Sequence, residues 1–213
     1  MSGEDGFVWY AAYGSNTHRA RLRTYLVRCR ETDEPRQSRA LELGGAVYFA
    51  TESPVWGGGR GFYDPEAGGK VLARAHLVTA GQFSDILALE MYREPGTDLD
   101  LSEAVTSGRA ELGPGRYETV VCPGRIDGVP LVALTAPWAV DEVELREPAE
   151  AYVRHIAAGL RESGAWAAEE IADYVAACPG AAGRWTAEAV LALMPEAERK
   201  DGEGDAPDSH TFG

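Results

Sequence analysis

Phe7-Val8-Trp9-Tyr10-Ala11-Ala12-Tyr13 runs without a charged residue directly into Gly14-Ser15-Asn16. A continuous apolar and aromatic run of this kind reads as a strand buried on both faces. Gly14-Ser15-Asn16 stops it at once. Thr17 to Val27 follows, with Ala20, Leu22, Tyr25 and Leu26 on a short apolar stripe that predicts a helix. A turn between such a strand and such a helix presents successive backbone N–H groups toward a cavity. The helix dipole adds positive potential at the same place. The arrangement suits a carboxylate or a developing oxyanion. Gly14 lets the backbone turn sharply or approach a ligand closely. A purely structural alternative is that Ser15 or Asn16 caps the helix.

Working outward, residues 31–40 are polar, contain Pro35 and read as a loop. Ala46 to Thr51 is a second strand and Val71 to Thr79 a third, separated by a glycine-rich loop from Ser53 to Pro65. Thr79-x-x-Gln82 forms a capping box, so a helix begins there. Phe83, Ile86, Leu87, Glu90 and Met91 share one of its faces, and Pro95-Gly96 ends it. Tyr117–Cys122 and Val129–Thr135 pair as strands around Asp127-Gly128, a hairpin turn signal. Pro148 opens a late helix with Tyr152, Val153, Ile156, Ala157 and Leu160 inward. A second helix runs from about Trp166 to Cys178, and a short one covers Thr186 to Met194. Strands first and helices last indicate an α+β fold. One domain spans residues 1–195, and the polar, charged tail 196–213 is expected to be disordered.

The composition narrows the function classes. A formal net charge of −14 keeps a surface soluble and repels phosphate backbones, so nucleic acid is not an expected partner. The densest basic stretch carries Arg19, Arg21, Arg23, Arg28 and Arg30, which read as a solvated helix face. No apolar run approaches a membrane span, and the acidic start Met1–Phe7 lacks the pattern of a secretory signal, so no membrane partner is expected. Cys29, Cys122 and Cys178 are odd in number and far apart, which excludes a complete disulfide framework and suits the reducing cytoplasm.

The residues that could carry chemistry are few. Glu90 and Glu94 lie near the apolar stripe of the helix that begins at Thr79. Desolvation there would raise a carboxyl pKa and suit it to proton transfer near neutral pH. The bland alternative is that the helix frays before Pro95, that both acids are wet, and that Arg93 pairs with one of them. The glycine stretch Trp56 to Gly61 lacks the Gly-Lys-Ser/Thr ending of a phosphate loop, although Arg60 could reach a ligand carboxylate. His18, His76, His155 and His210 show no zinc spacing. Ser15 has no evident His partner and no Gly-x-Ser-x-Gly elbow exists, which argues against a Ser-His-Asp hydrolase.

Val8-Trp9-Tyr10-Ala11-Ala12-Tyr13-Gly14-Ser15-Asn16 resembles the opening strand and signature turn of the gamma-glutamyl cyclotransferase-like family. Three later segments follow in that family's order. Glu90-Met-Tyr-Arg-Glu94-Pro-Gly96 resembles the segment with its general acid/base. Gly115-Arg-Tyr117-Glu-Thr-Val resembles a strand whose Tyr lines the pocket. Pro148-Ala-Glu-Ala-Tyr152 with Gly159 resembles the late helix that supplies another pocket Tyr. The resemblance spans about residues 7–178. It departs from the family where Pro95 separates Glu94 from Gly96, and the interval from Glu94 to Tyr117 is longer than usual.

The resemblance implies a closed or nearly closed mixed β-barrel flanked by helices. It implies an enzyme in which the α-amine of a γ-glutamyl group attacks its own γ-carbonyl, releasing 5-oxoproline and an amine or amino acid. Glu94 matches the catalytic position, with Glu90 as the second choice. Tyr13, Gly14, Ser15, Asn16, Tyr117, Tyr152 and Arg60 would hold the small-molecule substrate. No metal or organic cofactor is implied, and a homodimer is allowed. Two other readings stay open: the same fold transferring or hydrolysing an amide or acyl group on another small molecule, and a non-catalytic module that binds a carboxylate.

Overall fold

The computed structural model describes residues 6–194. The tail assigned above to disorder lies outside the described residues. β1 (Phe7–Ala12) occupies the interior of a six-stranded sheet. On one side it pairs antiparallel with β5 (Lys70–Thr79), which pairs in turn with β2 (Gln37–Gly44). On the other side it pairs parallel with β8 (Val129–Thr135), followed by antiparallel β7 (Thr119–Ile126) and β6 (Arg109–Glu111). β3 (Ala46–Glu52) and β4 (Gly59–Asp64) form a separate antiparallel pair.

Both faces of β1 are covered, which is why its sequence is apolar throughout. Trp9, Ala11 and Tyr13 face a core shared with α4 (Glu150–Glu162), α5 (Ala168–Ala177) and α6 (Ala187–Leu193). Val8, Tyr10 and Ala12 face the opposite core, built with Leu22 and Leu26 of α1 (Arg19–Leu26) and Phe83, Ile86 and Leu87 of α2 (Ala80–Glu90). The alternation of a strand thus feeds two separate apolar layers. The short α3 (Ser102–Ser107) leads into β6.

The α+β class matches the expectation, and the barrel does not. β2 and β6 end the sheet as its two edges, with no pairing between them among the described residues. The β3–β4 hairpin, instead of closing the sheet, docks on β8 by a side chain: the Tyr63 N–H donates to Thr135 Oγ1 at 3.1 Å.

Three local expectations are corrected. The loop placed at residues 31–40 holds for 31–36 and gives way from Gln37 to β2, an exposed edge strand whose outward polar residues conceal the period-two signal. The glycine loop is half strand: β4 uses Gly59 and Gly61 where an added Cβ would strike the Arg146 backbone and the Tyr152 hydroxyl, respectively. The helix from Thr79 ends at Glu90, four residues before Glu94, because Tyr92 turns into the left-handed region at φ 57°. The Thr79 capping box itself is formed in both directions. Asp127 and Gly128 both take positive φ (53° and 86°), as a tight hairpin turn of the expected type requires.

Candidate active site

The C-terminal end of β1 opens into a cavity of about 270 Å³. It lies where the two cores meet the β3–β4 hairpin, and it collects residues from α1, β4, the end of α2, the approach to β7, and α4.

The turn comes first. Ser15 to Thr17 form a single 3-10 turn, and α1 starts only at Arg19. Neither Ser15 nor Asn16 caps a helix, so the capping alternative fails. Both are buried instead. Asn16 Nδ2 donates to the Tyr10 hydroxyl at 3.2 Å and to Glu90 Oε1 at 3.3 Å, while Asn16 Oδ1 is buried without a partner. The Asn16 carbonyl meets Nε2 of buried His76 at 3.2 Å, and His76 Nδ1 meets Ser38 Oγ at 2.8 Å. Burial pushes the His76 pKa down to about 3, so the ring is neutral and serves as a fixed prop under the turn. On the far side, α4 lies against the turn at Gly159, where any Cβ would overlap the Thr17 and His18 backbone.

Tyr152 leaves α4 on the same face as Gly159, one heptad earlier, and its hydroxyl is wedged between two glycines. A Cβ on Gly14 would come within 2.7 Å of that oxygen, and one on Gly61 within 2.9 Å. The Gly61 N–H donates to it at 3.2 Å, while the Tyr117 hydroxyl donates to the Gly61 carbonyl at 2.9 Å. The two tyrosines therefore hold the peptide groups on either side of Gly61 in β4. Burial raises the pKa of each, so both are neutral donors at any physiological pH. The Tyr13 hydroxyl is spent on the Leu134 carbonyl at 2.6 Å, which makes it a wall of the cavity.

Glu90 is the acid in this cavity. As the last residue of α2, it carries its carboxyl inward beside Asn16. Burial raises its pKa above 4.5, opposed in order by the Tyr25 hydroxyl, the Arg21 and Arg116 guanidinium groups, and the Asn16 amide. Glu94 is elsewhere. It sits past the helix end, exposed, and outside the cavity lining. Of the two acids the sequence singles out, the cavity therefore holds Glu90 and not Glu94. Arg93 pairs with neither acid but with Glu118, whose carboxylate also accepts from the Gly115 N–H at 2.7 Å. That pair anchors the segment that delivers Arg116 and Tyr117.

The structure brings Tyr13, Gly14, Ser15, Asn16, Arg60, Glu90, Tyr117 and Tyr152 to one cavity, as the sequence suggested for each. Residues not foreseen include Tyr10, Arg21, Tyr25, Arg28 and Arg116. Arg21 and Tyr25 carry a usable signal, the i, i+4 spacing that places them on one face of α1. The solvated-face reading holds for Arg19 and Arg23, which pair at the surface with Glu34; Arg21 and Arg28 line the cavity instead, and Arg30 pairs with the buried Asp85. Among the described residues no group of three or more His, Cys, Asp or Glu could hold a metal ion, and no helix is long and apolar enough to cross a membrane.

The uncharacterized human protein loc79017 superposes at TM-score 0.50 with 18% identity, over 88% of this chain and 98% of that one. The two chains share a fold. A structure of gamma-glutamyl cyclotransferase is similar at TM-score 0.49 and 17% identity, over 88% of this chain and 98% of that one. In sequence, histone deacetylase 5 of Arabidopsis thaliana is 26% identical over 204 residues, covering 79% of this chain. The chain spans only 30% of that plant protein's length. No protein-family model matches.

Proposed function

We propose that the protein is a gamma-glutamyl cyclotransferase, with Glu90 as the proton carrier. The observation that supports it most is the placement of one desolvated carboxyl beside the Gly14-Ser15-Asn16 turn, in a cavity sized for a small amino-acid derivative. The reaction asks little of the protein, because nucleophile and carbonyl belong to one molecule. The enzyme must fold the glutamyl chain and manage two protons.

In this reading the turn N–H groups hold the γ-carbonyl oxygen or the α-carboxylate, with Arg60 at hand for the latter. Glu90 as carboxylate takes a proton from the α-ammonium and frees its lone pair. Attack on the γ-carbonyl carbon forms the ring C–N bond. Glu90, now the acid, gives that proton to the leaving nitrogen as its bond to the carbonyl carbon breaks; the carboxylate so regenerated takes the second proton from the ring nitrogen and passes it to the departing amine, which leaves as an ammonium. 5-Oxoproline keeps one hydrogen on nitrogen, and the released amine carries the rest. Tyr117 and Tyr152 keep the β4 wall in place, and Tyr152, whose hydroxyl accepts from the Gly61 N–H, keeps its own proton to offer the substrate.

The test is incubation with a pool of γ-glutamyl dipeptides and γ-glutamylamines, with mass spectrometry for 5-oxoproline. Its appearance, lost in Glu90→Gln, supports the proposal. Amide cleavage without 5-oxoproline points instead to transfer or hydrolysis on the same fold. Binding without any turnover points to a carboxylate-binding module.

A further inference from the structure

His18 and His155, 137 residues apart in the chain, meet beside the cavity but outside its lining. His18 joins the 3-10 turn to α1, and His155 lies on α4, one helical turn before Gly159. Their Nδ1 atoms face each other at 3.1 Å, with ring centroids 5.1 Å apart. Both residues are half-buried, so solvent reaches the pair. Each ring is held from behind. Glu162 Oε1 accepts from His18 Nε2–H at 3.1 Å, while Glu162 Oε2 accepts from Arg74 at 2.9 Å and from the Arg19 N–H at 3.0 Å. The His155 ring packs on Trp56, with centroids 5.3 Å apart.

These contacts fix the tautomer. With Nε2–H committed to Glu162, neutral His18 keeps its lone pair on Nδ1, on the side of His155. A carboxylate behind an imidazole is the support that orients metal-ligating histidines. His155 offers a second lone pair at Nδ1 once its proton moves to Nε2, and a small swing of the ring turns both lone pairs toward one point. Metal–nitrogen bonds of about 2.0–2.1 Å place two ligand nitrogens about 2.9 Å apart at a right angle and about 3.3–3.4 Å apart in a tetrahedron. The observed 3.1 Å lies between these. Of the nearby charges, Glu162 favours a cation and Arg21 and Arg154 oppose one, while the net charge of −14 favours it overall. Burial first, and then His18, Arg21 and Arg154, lower the His155 pKa, which keeps that ring neutral and able to ligate at neutral pH. We infer that His18 and His155 form a site for one divalent transition-metal ion that prefers imidazole, such as Zn²⁺, completed by water. An ion there ties α4 to the turn, next to the Trp56 ring that also packs on Tyr152. The site is independent of the reaction proposed above.

Calorimetric titration of the full chain with Zn²⁺ at neutral pH tests this, with His18→Gln and His155→Gln alongside. The wild type should take up one ion per chain, and each variant should lose that binding. Long-range proton–nitrogen NMR of the wild type should show Zn²⁺ shifting the Nδ1 resonances of two imidazoles, with those of His76 and His210 unmoved. That spectrum keeps the site testable should a variant not fold. Absence of stoichiometric Zn²⁺ binding, binding that survives in a folded histidine variant, or shifts confined to other imidazoles overturns the site and leaves the pair as a hydrogen bond between rings.

Discussion

Gly159→Ala sets two effects of opposite sign against each other. In the interior of α4 an alanine favours the helix by about 1 kcal/mol over glycine. At this position its Cβ would lie within 3.0 Å of the His18 amide nitrogen and the Thr17 carbonyl carbon, against the ~3.5–4.0 Å at which such atoms rest. Backbone atoms of a 3-10 turn cannot rotate aside, so α4 must retreat by roughly 0.5–1 Å. Overpacking of this severity costs about 3 kcal/mol, the upper part of its usual range. The clash wins, and the variant loses about 2 kcal/mol, or roughly 4–8 °C of melting temperature for a domain of this size. The displacement also carries Tyr152, whose hydroxyl accepts from Gly61 at 3.2 Å with no slack. Misplacement of about 1 Å at a catalytic site can lower turnover about 100-fold. Urea denaturation gives the stability, and 5-oxoproline release the turnover. A variant more stable than wild type would mean that propensity prevails and that α4 does not rest on the turn.

Four further outcomes follow from the same contacts. Thr79→Ala removes the hydroxyl that accepts from Gln82 N–H and should cost about 1 kcal/mol in thermal or chemical denaturation, with turnover unaffected. Tyr152→Phe strands the buried Gly61 N–H and should cost about 1–3 kcal/mol, read by urea denaturation alongside a drop in kcat. Burial raises the Glu90 pKa, and the deprotonated form is the base, so kcat/KM should fall as pH drops through a value above 4.5. The same raised pKa favours the neutral carboxyl in the folded state. Its contribution to stability is full below the unfolded pKa and is lost as pH rises through the folded one. Glu90→Gln should therefore melt no lower than wild type at neutral pH, as calorimetry would read.

What the sequence made legible follows burial. β1 and α4 carry unambiguous apolar patterns because β1 is covered on both faces and α4 on one, and both were placed to within a few residues. The Thr79–Gln82 box and the Asp127-Gly128 turn are local hydrogen-bond or φ requirements, so they too were readable. β2 and β4 were not. One is an exposed edge, and the other uses glycine for close approach to Arg146 and Tyr152, contacts that no local pattern encodes. The choice between Glu90 and Glu94 turned on where α2 stops. Both fit the apolar stripe only if the helix continues, and it ends at Glu90 with Tyr92 in a left-handed conformation. Arg116 was invisible because its place depends on the Arg93–Glu118 pair and on the Glu90 carbonyl.

The role of Glu90 is decided by comparing Glu90→Gln with Glu94→Gln on one substrate found in the γ-glutamyl pool. Glu90 lies in the cavity beside Asn16, and Glu94 lies in solvent. Glu90→Gln is expected to fold and to release no 5-oxoproline, while Glu94→Gln is expected to turn over at the wild-type rate. Loss of turnover in Glu94→Gln with retention in Glu90→Gln would contradict it.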